Sequence, residues 1–172
     1  MQKQLTLVLG GIASGKSAHA ETLVRATGKP LIYLASAQAH DAEMEAKIAR
    51  HRTMRGLGWQ TIEAPLAVAD TLRTITPGHA VLFDCATMWL TNHLLAEHDL
   101  DAERNTLLAA LAACPADITV VSNEVGLAGV PENALARRFA NAQGALNQAL
   151  AAAADRVILV TAGMPLTLKD RA

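Results

Sequence analysis

The stretch Gly10-Gly11-Ile12-Ala13-Ser14-Gly15-Lys16-Ser17 decides the fold of this chain. It matches the pattern G-x-x-x-x-G-K-[ST] in full, an apolar run at residues 5–9 precedes it, and a predicted helix follows it. In that strand–loop–helix context, backbone N–H groups of the loop and of the helix N-terminus bind phosphates. We therefore predict that residues 10–17 bind a nucleoside triphosphate. Lys16 is expected to act on the β- and γ-phosphates as a catalytic residue, and the Ser17 hydroxyl to bind Mg²⁺.

Composition restricts the class of protein. The chain has 172 residues, 51% of them hydrophobic and only 3% aromatic, with a formal net charge of −1. A single domain spanning residues 1–172 is expected. The absence of a basic excess and the scarcity of aromatic side chains argue against nucleic-acid binding. No signal peptide and no apolar run of membrane-spanning length is visible, so a cytoplasmic enzyme is expected.

Predicted strands alternate with predicted helices along the chain. This alternation indicates an α/β fold with a mainly parallel sheet and helices on both faces, and the loop at residues 10–17 makes it a P-loop nucleotide-binding fold. Strands are predicted at residues 4–9, 31–35, 59–62, 80–84, 118–122 and 156–161, with a possible edge strand at 163–169. Helices are predicted from the loop to about residue 27 and at residues 41–55, 66–74, 88–96, 102–113 and 132–154.

Asp84 closes a predicted buried strand, Ala80-Val81-Leu82-Phe83-Asp84. A carboxylate at this place can hold Mg²⁺ directly or through water, as in a Walker B strand. The alternative is that Asp84 caps the N-terminus of the next helix. The metal role is favoured because a phosphate loop is already present.

His51 lies among arginines in the sequence Arg50-His51-Arg52. A neutral imidazole can attack phosphorus and form a phosphoramidate. Nearby cations disfavour the imidazolium form and neutralise the charge of a triphosphate and of departing pyrophosphate. From the residues alone, a surface histidine on a solvated basic helix is the favoured interpretation, because a lone histidine has several common roles.

Several segments in a fixed order make the chain resemble a known family. It resembles the bifunctional adenosylcobinamide kinase/adenosylcobinamide-phosphate guanylyltransferases of cobalamin biosynthesis. The most specific matches are the segment around His51 and Val121-Ser122-Asn123-Glu124-Val125-Gly126. Further matches extend nearly end to end: His19-Ala20-Glu21, Asp41-Ala42-Glu43-Met44, Trp59-Gln60-Thr61-Ile62-Glu63, Asp84-Cys85, Trp89-Leu90-Thr91-Asn92, Val130-Pro131-Glu132-Asn133, Arg137-Arg138-Phe139 and Gly144-Ala145-Leu146-Asn147-Gln148.

The resemblance implies a RecA-like P-loop fold and a two-step reaction. ATP or GTP would first phosphorylate the aminopropanol hydroxyl of adenosylcobinamide. GTP would then guanylate His51 with release of pyrophosphate, and adenosylcobinamide phosphate would take the GMP to give adenosylcobinamide-GDP. The resemblance also implies a homo-oligomer, a trimer, acting on small molecules with Mg²⁺.

By the same resemblance, the nucleotide-binding residues extend beyond the phosphate loop. The catalytic residues are His51 and Lys16, and the metal-binding residues are Ser17 and Asp84. The nucleotide-binding set comprises Gly10, Gly11, Ile12, Ala13, Ser14, Gly15, Lys16, Ser17, Ser36, Ala37, Gln38, Arg52, Thr53, Met54, Arg55, Glu63 and Asp84.

The chain departs from the family pattern at two places. Ala13 stands where family members usually carry an arginine, so a contribution to phosphate binding is missing. The segment 93–104 is short, which affects the surface that would face the corrinoid. Neither departure touches His51, Lys16 or Ser17.

Other polar residues leave alternatives open. Glu124 could orient a nucleophilic hydroxyl or the metal, or could fix its loop as a hydrogen-bond acceptor. His19 is expected to be structural. No partner is expected for His40, His79, His93 and His98. Cys85 and Cys114 are expected to be small buried residues rather than a disulfide or metal ligands.

Two other functions compete with the bifunctional enzyme. One is a P-loop kinase of another small alcohol, in which His51 is incidental. The other is a GTP-binding regulatory protein that does little chemistry. Covalent guanylation of the chain distinguishes the first from the bifunctional enzyme, and turnover of an alcohol substrate distinguishes the second.

Overall fold

A computed structural model describes residues 3–38 and 58–171 of the chain. Within them, seven strands form one sheet. The strands are β1 (Leu5–Gly10), β2 (Leu31–Ala35), β3 (Trp59–Glu63), β4 (Ala80–Asp84), β5 (Asp117–Asn123), β6 (Arg156–Thr161) and β7 (Met164–Asp170). The helices of these ranges are α1 (Lys16–Ala26), α2 (Val68–Thr74), α3 (Ala86–Leu95), α4 (Leu100–Ala113) and α5 (Ala134–Ala153), with a 3₁₀ turn at Gly126–Ala128.

The sheet has the strand order β3-β2-β4-β5-β1-β6-β7. All neighbouring pairs are parallel except β6–β7, which is an antiparallel hairpin. The strand β5 therefore separates the strand that leads into the phosphate loop from β4, which ends in Asp84. Because the other six strands point the same way, their carboxyl ends meet at one edge, where ligands of open α/β sheets bind.

Helices cover both faces of the central strands, which is why these strands are apolar runs rather than alternating patterns, whereas the edge strands β3 and β7 are largely exposed. On one face, α1 buries Ala20 and Val24 against Val8, Leu82 and their neighbours. On the opposite face, α2 to α5 pack on alternate strand residues such as Leu7 and Phe83. Alternate residues of the central strands thus pack into the two clusters, and the packed strands hold the loops at the carboxyl edge.

The predicted architecture is confirmed among the described residues. The strands at 31–35, 80–84 and 156–161 begin and end where the sequence predicts, and the possible edge strand exists as β7, with Pro165 on the outer edge of the sheet. Helix α3 begins two residues earlier than predicted, because Cys85 caps it by accepting the backbone N–H of Met88 on its Sγ at 3.4 Å. The predicted helix at residues 41–55 lies outside the described residues.

None of the helices in the described part of the chain combines the length and the apolar character that crossing a membrane requires.

Cys85 and Cys114 are both free thiols, as expected, with Cys114 buried and Cys85 half-buried.

Candidate active site

The phosphate loop is held between the end of β1 and the start of α1 by its own backbone. Gly15 adopts a left-handed conformation with φ of 91° and caps α1 without a side-chain hydrogen bond. The N–H of Ser14 donates to the Gly11 carbonyl at 3.3 Å, and the Gly163 N–H of the β6–β7 turn donates to the Ser14 carbonyl at 2.8 Å. The hairpin turn thus supports the loop from outside, while the start of α1 directs its free N–H groups toward the carboxyl edge.

Gly10 is the residue of the loop where an added side chain would come nearest to its neighbours. A Cβ placed there would lie 2.3 Å from Ser14 Oγ and 2.7 Å from the Val160 carbonyl oxygen. Ser14 Oγ itself is buried and has no hydrogen-bond partner among the residues that the structure describes. A buried hydroxyl without a partner is costly unless a ligand satisfies it, so this atom fits a loop that closes around a polar group.

Lys16 and Asp84 share this edge of the sheet. The Lys16 ammonium donates to the Gly11 carbonyl at 3.1 Å, across the mouth of the loop. Asp84 Oδ2 accepts the hydroxyl of Tyr33 at 3.0 Å, which fixes the carboxylate at the end of β4. Both charges act on the thiol of Cys85: burial and then the Asp84 carboxylate raise its pKa to about 12, while Lys16 opposes the shift.

The alternative role for Asp84, as a helix cap, is wrong, since Cys85 occupies the N-cap of α3. The carboxylate is therefore available at the sheet edge. A carboxylate and a serine hydroxyl are hard oxygen donors of the kind that Mg²⁺ prefers, and Ser17 lies in the first turn of α1. The donor set fits Mg²⁺.

Ser36 contributes to this edge through the backbone of Cys85. Its hydroxyl is fully buried, donates to the Cys85 carbonyl at 2.6 Å and accepts the Cys85 N–H at 3.0 Å. The two bonds join the end of β2 to the turn after β4. Ala37 and Gln38 follow at the same edge and are half-buried. Direct contact of Ser36, Ala37 and Gln38 with the nucleotide stays a prediction.

Glu63 is level with Ala35 and hence with Asp84, because Ala35 pairs with both residues in the sheet register. It is exposed at the end of the edge strand β3. The structure therefore places the phosphate loop, residues 36–38, Glu63 and Asp84 at the same edge of the sheet, the one formed by the carboxyl ends of the parallel strands. His51, Arg52, Thr53, Met54 and Arg55 lie outside the described residues, as does His40.

A buried amide network, which the sequence did not predict, fixes the end of β5. Ser122 Oγ donates to Asn147 Oδ1 at 2.7 Å, and the Gln143 amide donates to both at 2.9 Å. The Asn147 amide donates to the Asn123 carbonyl at 3.0 Å, and the Asn123 N–H donates to Thr87 Oγ1 at 2.8 Å. The network thus anchors the backbone that leads into Glu124. The Glu124 N–H in turn donates to the Gly10 carbonyl at 3.0 Å, so Glu124 lies beside the start of the phosphate loop.

Glu124 fixes its own loop: its Oε1 accepts the Gly126 N–H at 2.7 Å. The hydrogen-bond role considered for this residue is therefore present. Its possible action on a substrate hydroxyl or on the metal stays a prediction.

Two histidines correct the sequence-based expectation. His93 and His98, predicted to have no partners, lie with Nδ1 atoms 2.9 Å apart at the corner between α3 and α4. They are five positions apart, a spacing that neither helical nor strand periodicity brings together. The contact exists because the chain turns at the end of α3, where Glu97 has positive φ. His19 is half-buried in α1, where burial and the Arg156 charge lower its pKa, and its structural role stays a prediction.

The comparisons with known proteins agree with this geometry. A family model described as cobinamide kinase / cobinamide phosphate guanyltransferase matches residues 6–168. The chain belongs to this family. It is 47% identical over 166 residues to the bifunctional adenosylcobalamin biosynthesis protein CobP of Pseudomonas aeruginosa, covering 95% of this chain and 96% of that protein. It is 41% identical to the corresponding CobU of Salmonella typhimurium, covering 96% of this chain and 99% of that protein.

Solved structures support the fold independently. The RadB recombinase superposes with a TM-score of 0.55 at 17% identity, covering 91% of this chain and 73% of that one. The flagellar accessory protein FlaH of Methanocaldococcus jannaschii superposes with a TM-score of 0.51 at 14% identity, covering 97% and 78%. At these identities the likeness concerns the fold alone, and it is the RecA-like P-loop fold that the resemblance implied. The predicted family, fold and enzyme class are confirmed.

Proposed function

We propose that this chain phosphorylates adenosylcobinamide with ATP or GTP and then guanylates the product through a covalent GMP–His51 intermediate. The observation that carries the proposal is the phosphate loop built at the same sheet edge as Asp84, in a chain whose residues 6–168 match the kinase/guanyltransferase family. The nucleotide chemistry follows from that edge, and the corrinoid substrate follows from the family.

In the kinase step, the substrate hydroxyl oxygen attacks the γ-phosphorus of the triphosphate. The bond from that phosphorus to the β–γ bridging oxygen breaks, the nucleoside diphosphate leaves, and the hydroxyl proton passes to an acceptor at the site. Lys16 and the backbone N–H groups of residues 11–17 stabilise the negative charge that develops on the transferred phosphoryl and the leaving oxygen.

In the guanylyltransfer step, a neutral ring nitrogen of His51 attacks the α-phosphorus of GTP. The bond to the α–β bridging oxygen breaks and pyrophosphate leaves. A phosphate oxygen of adenosylcobinamide phosphate then attacks the same phosphorus, the P–N bond breaks, and the imidazole is regenerated. Arg52 and Arg55 are proposed to neutralise the triphosphate and pyrophosphate charges during this step.

Mg²⁺, when bound, would supply charge neutralisation on the phosphate oxygens. Ser17 and Asp84 are the residues that would hold it, with Asp84 held in place by the hydroxyl of Tyr33. Ser36, Ala37, Gln38, Thr53, Met54 and Glu63 are proposed to contact the nucleotide around the loop. We further propose that the chain works as one domain, in a homo-oligomer and in the cytoplasm, where ATP and GTP are available.

The test is labelling with GTP carrying radioactive phosphorus at the α-position, in the presence of Mg²⁺. The parent chain is expected to acquire an acid-labile, alkali-stable label, as a phosphoramidate does, while a His51→Ala variant is not. His79→Ala is the matched control, because His79 is a half-buried histidine whose ring hydrogen-bonds only to Thr76 within the described residues.

Parallel reactions with γ-labelled nucleotide and adenosylcobinamide test the kinase step. Transfer of the γ-label by the parent and by His51→Ala, with α-label on the parent alone, supports both steps. Transfer of γ-label without any α-label would indicate a kinase alone. Binding of GTP with neither transfer would indicate a regulatory GTP-binding protein.

A further inference from the structure

A cluster of three metal-ligating side chains lies at the corner between α3 and α4. His93 Nδ1 lies 2.9 Å from His98 Nδ1 and 3.7 Å from Glu103 Oε2, and His98 Nδ1 lies 3.8 Å from Glu103 Oε1. One ligand atom from each of the three residues can be chosen so that all lie within 4.8 Å of one another. Nothing in the nucleotide chemistry uses these residues.

The backbone of the corner brings the two imidazoles together. Glu97 has a left-handed φ of 57°, its N–H donates to the Leu94 carbonyl at 3.1 Å, and the His98 N–H donates to the His93 carbonyl at 3.0 Å. These are the two hydrogen bonds of a Schellman motif, in which the side chains of the residues at the positions of His93 and His98 usually form an apolar contact. Here two imidazoles replace that contact.

The start of α4 adds the carboxylate. Asp99 caps this helix by accepting the N–H groups of Asp101 and Ala102 at 3.1 Å, and Glu103 lies in its first turn. The cluster is therefore held by the C-terminus of α3 and the N-terminus of α4. Both termini are capped by hydrogen bonds, so the positions of the three side chains are set by regular structure.

His93 is oriented as a ligand. Its Nε2 lies 3.3 Å from the Leu66 carbonyl, and because a carbonyl only accepts, Nε2 carries the proton and Nδ1 presents its lone pair to the cluster. The ring packs against Trp89 with centroids 4.6 Å apart and is 2% exposed. Burial lowers the pKa of His93, which keeps the imidazole in the neutral form that binds metal.

We propose that His93 Nδ1, His98 Nδ1 and a Glu103 carboxylate oxygen bind a Zn²⁺ ion, with a fourth position open to water. Tetrahedral Zn²⁺ with bonds of about 2.0–2.1 Å separates its ligand atoms by about 3.3 Å. The two Nδ1 atoms are 2.9 Å apart, Glu103 Oε2 lies 3.7 Å from His93 Nδ1, and Glu103 Oε1 lies 3.8 Å from His98 Nδ1. Since one ligand atom from each residue already lies within 4.8 Å of the others, rotation of the Glu103 carboxylate would bring one oxygen to both imidazoles. Two imidazoles and one carboxylate suit zinc, whereas Mg²⁺ prefers oxygen ligands alone.

The site has an entry path from solvent. The His98 side chain is 41% exposed and lines an open surface hollow between the corner and α5. The other residues of the hollow include several acidic side chains that favour the approach of a cation, and one arginine at its far side. They are Glu97, Asp99, Leu100, Asp101, Arg138 and Ala142.

Helix α3 connects the histidine corner to the carboxyl edge of the sheet, where the nucleotide is proposed to bind. Asn92, the residue before His93, donates to the Ser36 carbonyl at 2.8 Å and to the Pro65 carbonyl at 2.9 Å. Ser36 in turn holds the backbone of Cys85, next to Asp84. A zinc ion at the corner would fix the end of α3 that carries Asn92, so its role is to stabilise this edge rather than to take part in phosphoryl transfer.

The test is direct metal binding to the tag-free full chain, stripped with chelator and kept in excess Mg²⁺ so that the nucleotide edge does not take up the probe ion. Co²⁺ is the spectroscopic probe, and Zn²⁺ is then titrated in competition. One equivalent of Co²⁺ with visible absorption bands of a tetrahedral or five-coordinate ion is expected, displaced by one equivalent of Zn²⁺. A second reporter is Trp89, whose fluorescence in a Trp59→Phe background should be quenched by Co²⁺ with the same dissociation constant.

Variants decide whether the binding belongs to this corner. His98→Ala and Glu103→Gln should each weaken Zn²⁺ binding at least tenfold, while His79→Ala should leave it unchanged. Equal Zn²⁺ affinity in His98→Ala and the parent would overturn the proposal. So would the absence of Co²⁺ or Zn²⁺ binding at micromolar protein, in which case the cluster is a metal-free hydrogen bond from His98 to His93 with Glu103 alongside.

Discussion

The two ends of helix α3 carry two polar sites that the sequence reveals very differently. At its N-terminal end, Asp84 and Cys85 share the carboxyl edge of the sheet with the phosphate loop, a site predicted to bind phosphates mostly through the backbone N–H groups of eight consecutive residues. At its C-terminal end, the histidine corner (His93, His98 and Glu103) is made of side chains alone. A backbone site built from consecutive residues leaves a motif in the sequence, whereas a side-chain site made by a chain reversal does not.

Loss of the Lys16 ammonium should have the largest effect of any single side-chain change at the phosphate loop. Lys16→Ala should lower kcat/KM of the kinase step by about 10²–10³, because a charge that stabilises the transferred phosphoryl is lost. Steady-state kinetics with γ-labelled nucleotide measure it.

Lys29→Ala is the matched control for Lys16→Ala. Lys29 pairs with Asp117 at the opposite, amino-terminal edge of the sheet, so its removal should leave kcat/KM within about twofold. Equal losses in the two variants would mean that Lys16 acts through stability and not on the nucleotide.

The phosphate loop leaves little space for a methyl group at Gly10. Gly10→Ala should lower the free energy of unfolding by about 1–3 kcal/mol, because its Cβ meets Ser14 Oγ and the Val160 carbonyl. Gly144→Ala should raise the free energy of unfolding by about 0.5–1 kcal/mol, since Gly144 is inside α5 with nothing near its Cβ position. Urea unfolding of both variants checks this contrast, and a stable Gly10→Ala would show that the loop has room for a side chain.

The sequence predicted some parts of the fold and of the two polar sites, and missed others. The phosphate loop, the strand that ends in Asp84 and the alternation of strands and helices were predictable, because each depends on local periodicity or on a contiguous motif. The start of α3 was missed by two residues because a cysteine is not a typical N-cap. The corner was missed because its left-handed residue is Glu97 and not a glycine, so no turn signal marks the reversal.

The buried amide network between β5 and α5 was not predicted, for a related reason. Ser122, Gln143 and Asn147 come from a strand and a helix more than twenty residues apart, and only packing brings them together. The segment 144–148 resembles the family, but its physical role, anchoring the backbone of Asn123, required the structure.

The histidine corner should also show itself in the pH dependence of stability. Because burial lowers the pKa of His93 in the folded state, the unfolded chain binds the proton more readily. The free energy of unfolding of the metal-free chain should therefore fall as the pH drops below about 6.5, by at most about 1.4 kcal/mol per pH unit from this residue. Glu103, which faces the ring, opposes part of the shift, and His98 adds to it.

Urea unfolding between pH 7.5 and pH 5 in the presence of chelator measures this effect. His93→Asn should flatten the profile in that range, and His79→Asn should not. A His93→Asn profile as steep as that of the parent would assign the pH dependence to other groups.

The smallest expected effect tests whether the backbone at Glu97 sets the corner. Glu97→Gly should raise the free energy of unfolding by about 0.5–1 kcal/mol, since glycine adopts positive φ without the Cβ penalty and this gain exceeds its entropy cost. Ala96→Gly, one residue earlier and at negative φ, should lower it by a similar amount. If Glu97→Gly also keeps the Zn²⁺ affinity within about twofold, the Schellman hydrogen bonds position His93 and His98 and the Glu97 carboxylate does not. A larger loss of Zn²⁺ affinity would instead make Glu97 a fourth member of the site, and the open position proposed for water would be its place.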